Sequence, residues 1–106
     1  MKFGLSEEVV QKITNVFLSF PEIEKSILYG SRAKGNFKPG SDIDLTLIGS
    51  KLNSDIRNSI AIALDDLLLP YMIDLSIYSE LEHSELKNHI DRVGVLFYAK
   101  KKFQPN

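Results

Sequence analysis

The sequence predicts an α+β fold in which helices pack on one face of a mixed β-sheet and leave the other face open. Segments with helical periodicity alternate with short β-branched segments along the 106 residues. In the two middle strand segments apolar and polar side chains alternate, whereas strands buried on both faces read as continuous apolar runs. The open face of the sheet is therefore the surface on which a ligand is expected.

The first helix is expected over residues 7–20, because Ser6 is a good N-cap residue and Val, Ile and Phe recur at helical spacing after it. Pro21 ends this helix. A short strand is expected over residues 25–29. The later segment 35–40 is rich in Gly, Asn and Pro, which is typical of a loop.

The middle of the chain contains a second strand and a second helix. The strand is expected over residues 43–48, where apolar residues alternate with Asp and Thr. The helix that follows has Asn53 or Ser54 as its N-cap, and Leu68 belongs to its apolar side. Pro70 ends it.

The last third of the chain contains two further strands and one helix. The strands are expected over residues 72–78 and 95–98. Residues 79–92 have helical periodicity, and Gly94 follows them where a C-terminal cap belongs. Residues 100–106 are expected to be a flexible tail.

The composition is that of one ordinary globular domain, with 43% hydrophobic and 25% charged residues. No apolar run approaches the ~18 residues of a membrane-spanning helix. The N-terminal residues also lack the apolar segment of a signal peptide, so we expect a soluble cytoplasmic protein without membrane contact.

The absence of cysteine excludes disulfides and thiolate metal sites. The net charge of -1 disfavours DNA or RNA as the primary ligand, because such binding usually needs a basic stripe.

The open face of the predicted sheet is acidic, because three aspartates of the two middle strands share it. Its expected members are Asp42, Asp44, Thr46, Met72, Asp74 and Ser76. Asp is disfavoured in strand interiors, and clustered carboxylates repel one another unless solvent, cationic groups or a metal ion compensate. Bound divalent cations would let all three remain ionised. The alternative, that they are solvated residues of a half-open sheet, stays open at this point.

A Gly-Ser pair precedes the acidic strand in the run YGSRAKGNFKPGSDIDL, which spans residues 29–45. Gly30 and Ser31 can bring backbone N–H groups and a hydroxyl to a phosphate. Asp42 and Asp44 can hold the Mg²⁺ ions that accompany nucleoside triphosphates. A phosphate-binding turn together with a metal site indicates phosphoryl or nucleotidyl transfer.

These residues resemble the signature of the polymerase-β-like nucleotidyltransferase superfamily. The Gly-Ser pair at residues 30–31 is separated by ten residues from the Asp-Ile-Asp triplet at residues 42–44. The chain is most similar to the minimal bacterial branch, the MNT domains, over essentially its whole length. The resemblance implies that residues 1–106 form one domain with the nucleotidyltransferase fold. It also implies that the active site lies on the open side of the sheet and that Asp74 is the third acidic residue.

The resemblance assigns roles to the site residues. It implies that Asp42 and Asp44 ligate two Mg²⁺ ions, that Asp74 completes the second site, and that ATP is the substrate. Ser31 and the N–H groups after Gly30 would hold the outer phosphates.

Basic residues and histidines complete the set of candidates. Lys34 stands where the family often has a basic phosphate contact. Arg32 is either a second phosphate contact or the partner of an acidic surface residue, and the sequence leaves both alternatives open. His83 and His89 are six residues apart, which does not suit a shared metal ion on a helix, so surface or partner contacts are expected for them.

The resemblance further implies transfer of AMP from ATP to a hydroxyl group. Larger relatives have an additional domain that shapes the acceptor site, so a partner protein is expected to supply it here. For the minimal branch this partner is a HEPN-domain RNase toxin, which the MNT protein adenylylates on a tyrosine as its antitoxin. Two alternatives stay open: an aminoglycoside-type small-molecule adenylyltransferase, and a non-catalytic antitoxin that neutralises its partner by steric cover.

Overall fold

The computed structural model describes residues 1–101, which form four helices and one mixed sheet of four strands. In chain order these are α1 (Glu7–Leu18), β1 (Lys25–Tyr29), α2 (Gly30–Lys34), β2 (Ile43–Ile48), α3 (Ser54–Asp65), β3 (Ile73–Ile77), α4 (Ser84–Val93) and β4 (Val95–Ala99). A 3₁₀ turn, Tyr78–Glu80, connects β3 to α4. The predicted α+β class is confirmed.

The sheet has the strand order β3-β2-β1-β4. Strand β1 is antiparallel to both β2 and β4, whereas β2 and β3 are parallel and are connected through α3. A parallel pair needs such a crossover, while an antiparallel pair does not. The predicted mixed sheet is therefore confirmed, and the parallel pair places the beginnings of β2 and β3 next to each other.

Two capping side chains begin the long helices as the sequence predicts. The Ser6 hydroxyl accepts a hydrogen bond from the N–H of Val9 at 3.2 Å, at the start of α1. At the start of α3, the Asn53 side chain accepts one from the N–H of Ile56 at 2.9 Å, which identifies Asn53 as the N-cap.

Both helices end earlier than predicted. At the end of α1 the hydrogen bonds change to the tighter i to i−3 pattern, since the N–H of Ser19, two residues before Pro21, donates to the carbonyl oxygen of Val16. Helix α3 ends at Asp65, and Leu68 follows with a φ of 55°. Leu68, which the periodicity placed on the apolar side, is instead 88% exposed because the helix no longer directs it inward.

The hydrophobic core lies between one face of the sheet and helices α1 and α3. Its buried members include Ile13 and Phe17 of α1, Leu28 of β1, Ile43, Leu45 and Leu47 of β2, Ile60 and Leu64 of α3, and Leu75 of β3. Each residue of β2 and β3 in this set points away from the predicted acidic face, as the alternation of side chains requires.

The second face of the sheet is partly covered by α4, which packs over β1. Ile90 of α4 is buried, and Gly94 backs onto Ile27 so closely that an added β-carbon would lie 2.6 Å from its Cγ2 atom. The second face therefore stays open mainly over β2 and β3, where Asp42 and Asp74 are exposed.

The ends of the chain add two further observations. Lys100, expected in a flexible tail, is bonded at both its N–H, to Glu24, and its ammonium group, to Pro21. Residues 102–106 of that predicted tail lie outside the described residues. Within residues 1–101, no helix is both long enough and apolar enough to cross a bilayer.

Candidate functional site

The three predicted aspartates meet near the amino-terminal ends of β2 and β3. Asp44 and Asp74 lie side by side in the parallel register of these strands. Asp42 directly precedes β2, two residues before Asp44, so the two carboxylates project to the same face. Asp42 and Asp74 are exposed, whereas Asp44 is partly buried.

The carboxylate of Asp44 is electrostatically strained. Burial raises the pKa of Asp44 above its usual value, and the negative charges of Asp74 and Asp42 raise the same pKa further. Both effects disfavour the ionised form. The fold thus brings three carboxylates together at a place where a cation would relieve their mutual repulsion.

The Gly-Ser turn reaches Asp44 because β1 ends opposite the start of β2. Tyr29, the last residue of β1, is paired with Asp44, and Gly30 follows with a φ of 75°. A β-carbon on Gly30 would overlap the Oδ2 atom of Asp44. Both the backbone angle and the close carboxylate therefore require glycine at residue 30.

Ser31 and Lys34 belong to the short helix α2, whose first residue, Gly30, lies beside Asp44. Ser31 is partly buried, and its carbonyl oxygen accepts hydrogen bonds from the N–H groups of Gly35 and Asn36 that close the helix. Lys34 is exposed in the last turn. Gly35 ends α2 with a φ of 87°.

Arg32, predicted as a phosphate contact or as the partner of an acidic residue, has a different environment. It is 1% exposed, and its guanidinium donates hydrogen bonds to the carbonyl oxygens of Phe3, Pro39 and Ser41 at 2.8 to 3.2 Å. Its guanidinium carbon also lies 5.2 Å and 4.9 Å from the ring centroids of Phe37 and Tyr71. In this structure Arg32 stabilises the loop between α2 and β2.

His89 of α4 joins the site, although the sequence predicted only a surface or partner contact for it. Its Nε2 atom accepts a hydrogen bond from the N–H of Gly30 at 3.2 Å. Its ring meets that of Tyr29 edge to face, with centroids 6.1 Å apart. Helix α4 thus contacts the Gly-Ser turn directly.

A polar row continues behind the carboxylates on the same face of the sheet. Burial raises the pKa of Tyr29, as do the charges of Asp74 and Asp44, while a hydrogen bond with Ser76 opposes the shift. The hydroxyl of Ser76 in turn donates to that of Thr46 at 2.9 Å. The raised pKa keeps the Tyr29 hydroxyl neutral at physiological pH.

A family model of nucleotidyltransferases, described as polymerase beta, matches residues 11–103. The chain belongs to the polymerase beta nucleotidyltransferase family. No curated protein matches it.

Solved structures share the fold of this nucleotidyltransferase at low sequence identity. A toxin-antitoxin structure with AMP-PNP has a TM-score of 0.69 at 21% identity, covering 87% of this chain and 74% of that chain. A structure of a tri-AMPylated HEPN toxin in complex with MNT antitoxin, from Shewanella oneidensis, has a TM-score of 0.66 at 18% identity, covering 91% and 74%. A putative nucleotidyltransferase from Sulfolobus solfataricus has a TM-score of 0.53 at 22% identity, covering 88% and 79%.

The carboxylate oxygens of Asp42, Asp44 and Asp74 suit a divalent cation that takes its remaining ligands from a second molecule. Among residues 1–101, no group of three His, Cys, Asp or Glu side chains could by itself hold a metal ion. Carboxylate oxygens are nevertheless the ligands that Mg²⁺ prefers, and Mg²⁺ commonly takes one or two carboxylates together with substrate phosphates. The aspartates of this nucleotidyltransferase therefore suit a cation that arrives with a nucleotide.

Sequence reasoning missed His89 because it tested the histidines only as a pair of metal ligands. The contact joins residues 59 positions apart and depends on how α4 crosses β1. The signal in the sequence was the position of His89 directly before the inward-facing Ile90, on a helix that must pack somewhere on the sheet.

Proposed function

We propose that this nucleotidyltransferase transfers AMP from ATP to a hydroxyl group of a HEPN-domain toxin and thereby acts as an antitoxin. The observation that carries the proposal is the meeting of Asp44 with Asp74 and with the Gly30 turn at an open sheet surface. The fold is shared with a toxin-antitoxin structure containing AMP-PNP and with one containing a tri-AMPylated toxin. Together these findings favour AMP transfer to a protein.

Asp42, Asp44 and Asp74 are proposed to hold two Mg²⁺ ions together with the triphosphate. Bound Mg²⁺ would lower the pKa of the attacking hydroxyl and offset negative charge on the phosphates. The raised pKa of Asp44 supports this assignment, because a cation would favour the ionised carboxylate that the neighbouring aspartates disfavour.

Ser31 and Lys34 are proposed to contact the outer phosphates. The Ser31 hydroxyl would donate a hydrogen bond, and the exposed Lys34 ammonium group would supply a positive charge. The close approach of Gly30 to Asp44 would keep the phosphates next to the carboxylates. Arg32 is left out of this set because its guanidinium is already bonded to backbone carbonyls.

The proposed reaction is a single displacement at phosphorus. The hydroxyl oxygen of the partner forms a bond to the α-phosphorus, and the bond from that phosphorus to the oxygen bridging the β-phosphate breaks. Pyrophosphate leaves, and the hydroxyl proton passes to water. The attacking oxygen must be held about 3.5 Å or less from the phosphorus, so the acceptor has to be positioned by a binding surface.

A protein acceptor agrees with the exposure of the site. Asp42 and Asp74 are both exposed, on the face of the sheet that α4 leaves open over β2 and β3. A partner protein docked on that surface would supply a second wall and bring its own hydroxyl. A small-molecule acceptor would instead need a second copy of this chain to enclose it.

Two forms of labelled ATP test the proposal. The protein is incubated with Mg²⁺ and a candidate HEPN-domain partner protein, using ATP labelled at either the α- or the γ-phosphate. Label from the α-phosphate should become attached to the partner, and label from the γ-phosphate should appear in pyrophosphate.

Other outcomes would identify a different function. Transfer of the γ-label to the partner would indicate a kinase and would contradict the proposal. An α-label found on an added aminoglycoside, and absent from the partner, would identify a small-molecule adenylyltransferase. Suppression of the partner's activity without any attached label would identify a steric antitoxin.

A further inference from the structure

The N–H group of Gly30 already has a hydrogen-bond acceptor within the protein. His89, in the middle of α4, presents its Nε2 atom to this N–H at 3.2 Å. The histidine ring is itself held by Tyr29, whose ring meets it at an interplanar angle of 80°. Because Tyr29 holds the ring of His89 in place, the hydrogen bond to His89 can fix the position of the Gly30 N–H.

Gly30 is thereby constrained from two directions. On one side the carboxylate of Asp44 lies against its α-carbon. On the other side His89 accepts a hydrogen bond from its N–H. The residue also has a φ of 75°, a conformation that glycine leaves easily for others. Without the bond to His89, the peptide before Gly30 could rotate, and its partly buried N–H would lack an acceptor.

We infer that His89 is a positioning residue for nucleotide binding, which rests on the proposed function. Its Nε2 atom holds the Gly30 N–H and so sets the place of Ser31 relative to Asp44. An Nε2 atom that accepts a hydrogen bond carries no proton, so the ring proton of neutral His89 is on Nδ1. His89 acts through the backbone of Gly30 and touches no substrate.

Two substitutions of His89 test its hydrogen-bond acceptor and its aromatic ring separately. His89→Phe keeps an aromatic ring against Tyr29 and removes the acceptor, whereas His89→Gln removes the ring and keeps an amide oxygen near the position of Nε2. The exposed His83, which precedes the first residue of α4 and whose side chain makes no capping hydrogen bond, provides the matched controls His83→Phe and His83→Gln. Circular dichroism and Tm verify that all four variants fold.

Kinetics and binding give the first measurement. We expect His89→Phe to raise the KM for MgATP, and the Kd for MgAMP-PNP, about three- to tenfold, the scale of one hydrogen bond, with a smaller change in kcat. His89→Gln should restore both constants to within about twofold of the wild-type values. Both His83 variants should match the wild type.

The amide proton of Gly30 gives the second measurement. In an NMR spectrum without nucleotide, loss of the acceptor should shift this proton upfield in His89→Phe and leave it nearly unchanged in His89→Gln. The inference is wrong if His89→Phe changes neither the amide proton nor the affinity. It is also wrong if His89→Gln loses affinity as much as His89→Phe, because the aromatic ring would then be the part that matters.

The result for His89 can be separated from the result for the proposed function. Affinity for MgAMP-PNP and the Gly30 amide shift are measured without a partner protein. If the wild-type protein binds MgAMP-PNP and modifies no partner, the proposed function fails, while the order of the His89 variants still decides the inference. If the wild-type protein binds no nucleotide, both fail.

Discussion

The carboxylate of Asp44 lies directly against the backbone of Gly30, where an added β-carbon would overlap its Oδ2 atom. This contact follows from the antiparallel pairing of β1 with β2, which places Tyr29 opposite Asp44 and directs the next residue across it. It joins the two halves of the candidate site, the Gly-Ser turn and the acidic strands, at the distance of atomic contact.

Gly30→Ala tests this contact. The substitution should abolish nucleotide transfer, because the new methyl group displaces the Asp44 carboxylate. It should also cost about 1 to 2 kcal/mol of unfolding free energy, since an alanine is strained at a φ of 75°. Gly35→Ala is the matched control, because Gly35 has a φ of 87° and nothing within 4 Å of an added β-carbon. Equal activity in the two variants would show that the Gly30 turn is only structural.

Asp44 should make the metal-free protein less stable as the pH rises. Its pKa is raised in the folded state, so the folded protein binds this proton more tightly than the unfolded chain does. Stability is then lost as the pH increases from the unfolded value of about 3.8 through the raised folded value.

The measurement is the difference in unfolding free energy between Asp44→Asn and the wild type in EDTA. This difference should grow in favour of Asp44→Asn across that pH range. Taking the difference also cancels the pH dependence that the two proteins share. A variant that loses stability relative to the wild type as the pH rises would contradict the raised pKa.

We expect Arg32 to contribute to the stability of the fold and not to nucleotide binding. Arg32→Lys keeps the charge but loses the planar group that reaches three backbone carbonyls, so we expect a loss of about 2 to 4 kcal/mol in urea unfolding. Lys34→Met, at an exposed position of the same helix, should change stability by less than about 0.5 kcal/mol. An Arg32→Lys protein that keeps its stability but binds MgATP weakly would instead indicate that Arg32 contacts the nucleotide.

Ser31→Ala should weaken the use of MgATP without changing the fold. A hydrogen bond to a charged phosphate is worth about 1 to 3 kcal/mol, and this loss should appear in kcat/KM. The control is Ser59→Ala, at an exposed position in α3. Unchanged kinetics in Ser31→Ala would exclude its hydroxyl as a phosphate contact.

The acidic part of the site could be predicted from the sequence because it follows from local rules. Alternation with a period of two places Asp42 and Asp44 on one face, and the parallel register then brings Asp74 beside them. The sequence also predicted that the backbone at Gly30 approaches a phosphate, which is one reason for a glycine there. The structure adds a second reason, the carboxylate of Asp44.

Other parts depend on long-range packing that no local pattern contains. Arg32 is buried because the chain returns over it, so that Phe3 and Ser41 present their carbonyl oxygens to one guanidinium. His89 reaches Gly30 only because α4 crosses the second face of the sheet. In both cases the side chain is bonded to backbone groups whose directions the sequence does not reveal.

The intact mass of the HEPN partner tests the central claim most directly. After incubation with the wild-type protein, ATP and Mg²⁺, the partner's mass should increase by whole AMP units. The variant carrying Asp42→Asn and Asp44→Asn should produce no increase while still forming the complex. A control carrying Asp65→Asn and Asp66→Asn, which removes the same charge from exposed positions at the end of α3, should modify the partner normally. A partner whose mass never changes, yet whose activity is suppressed equally by the wild type and by the Asp42 and Asp44 variant, would contradict the account.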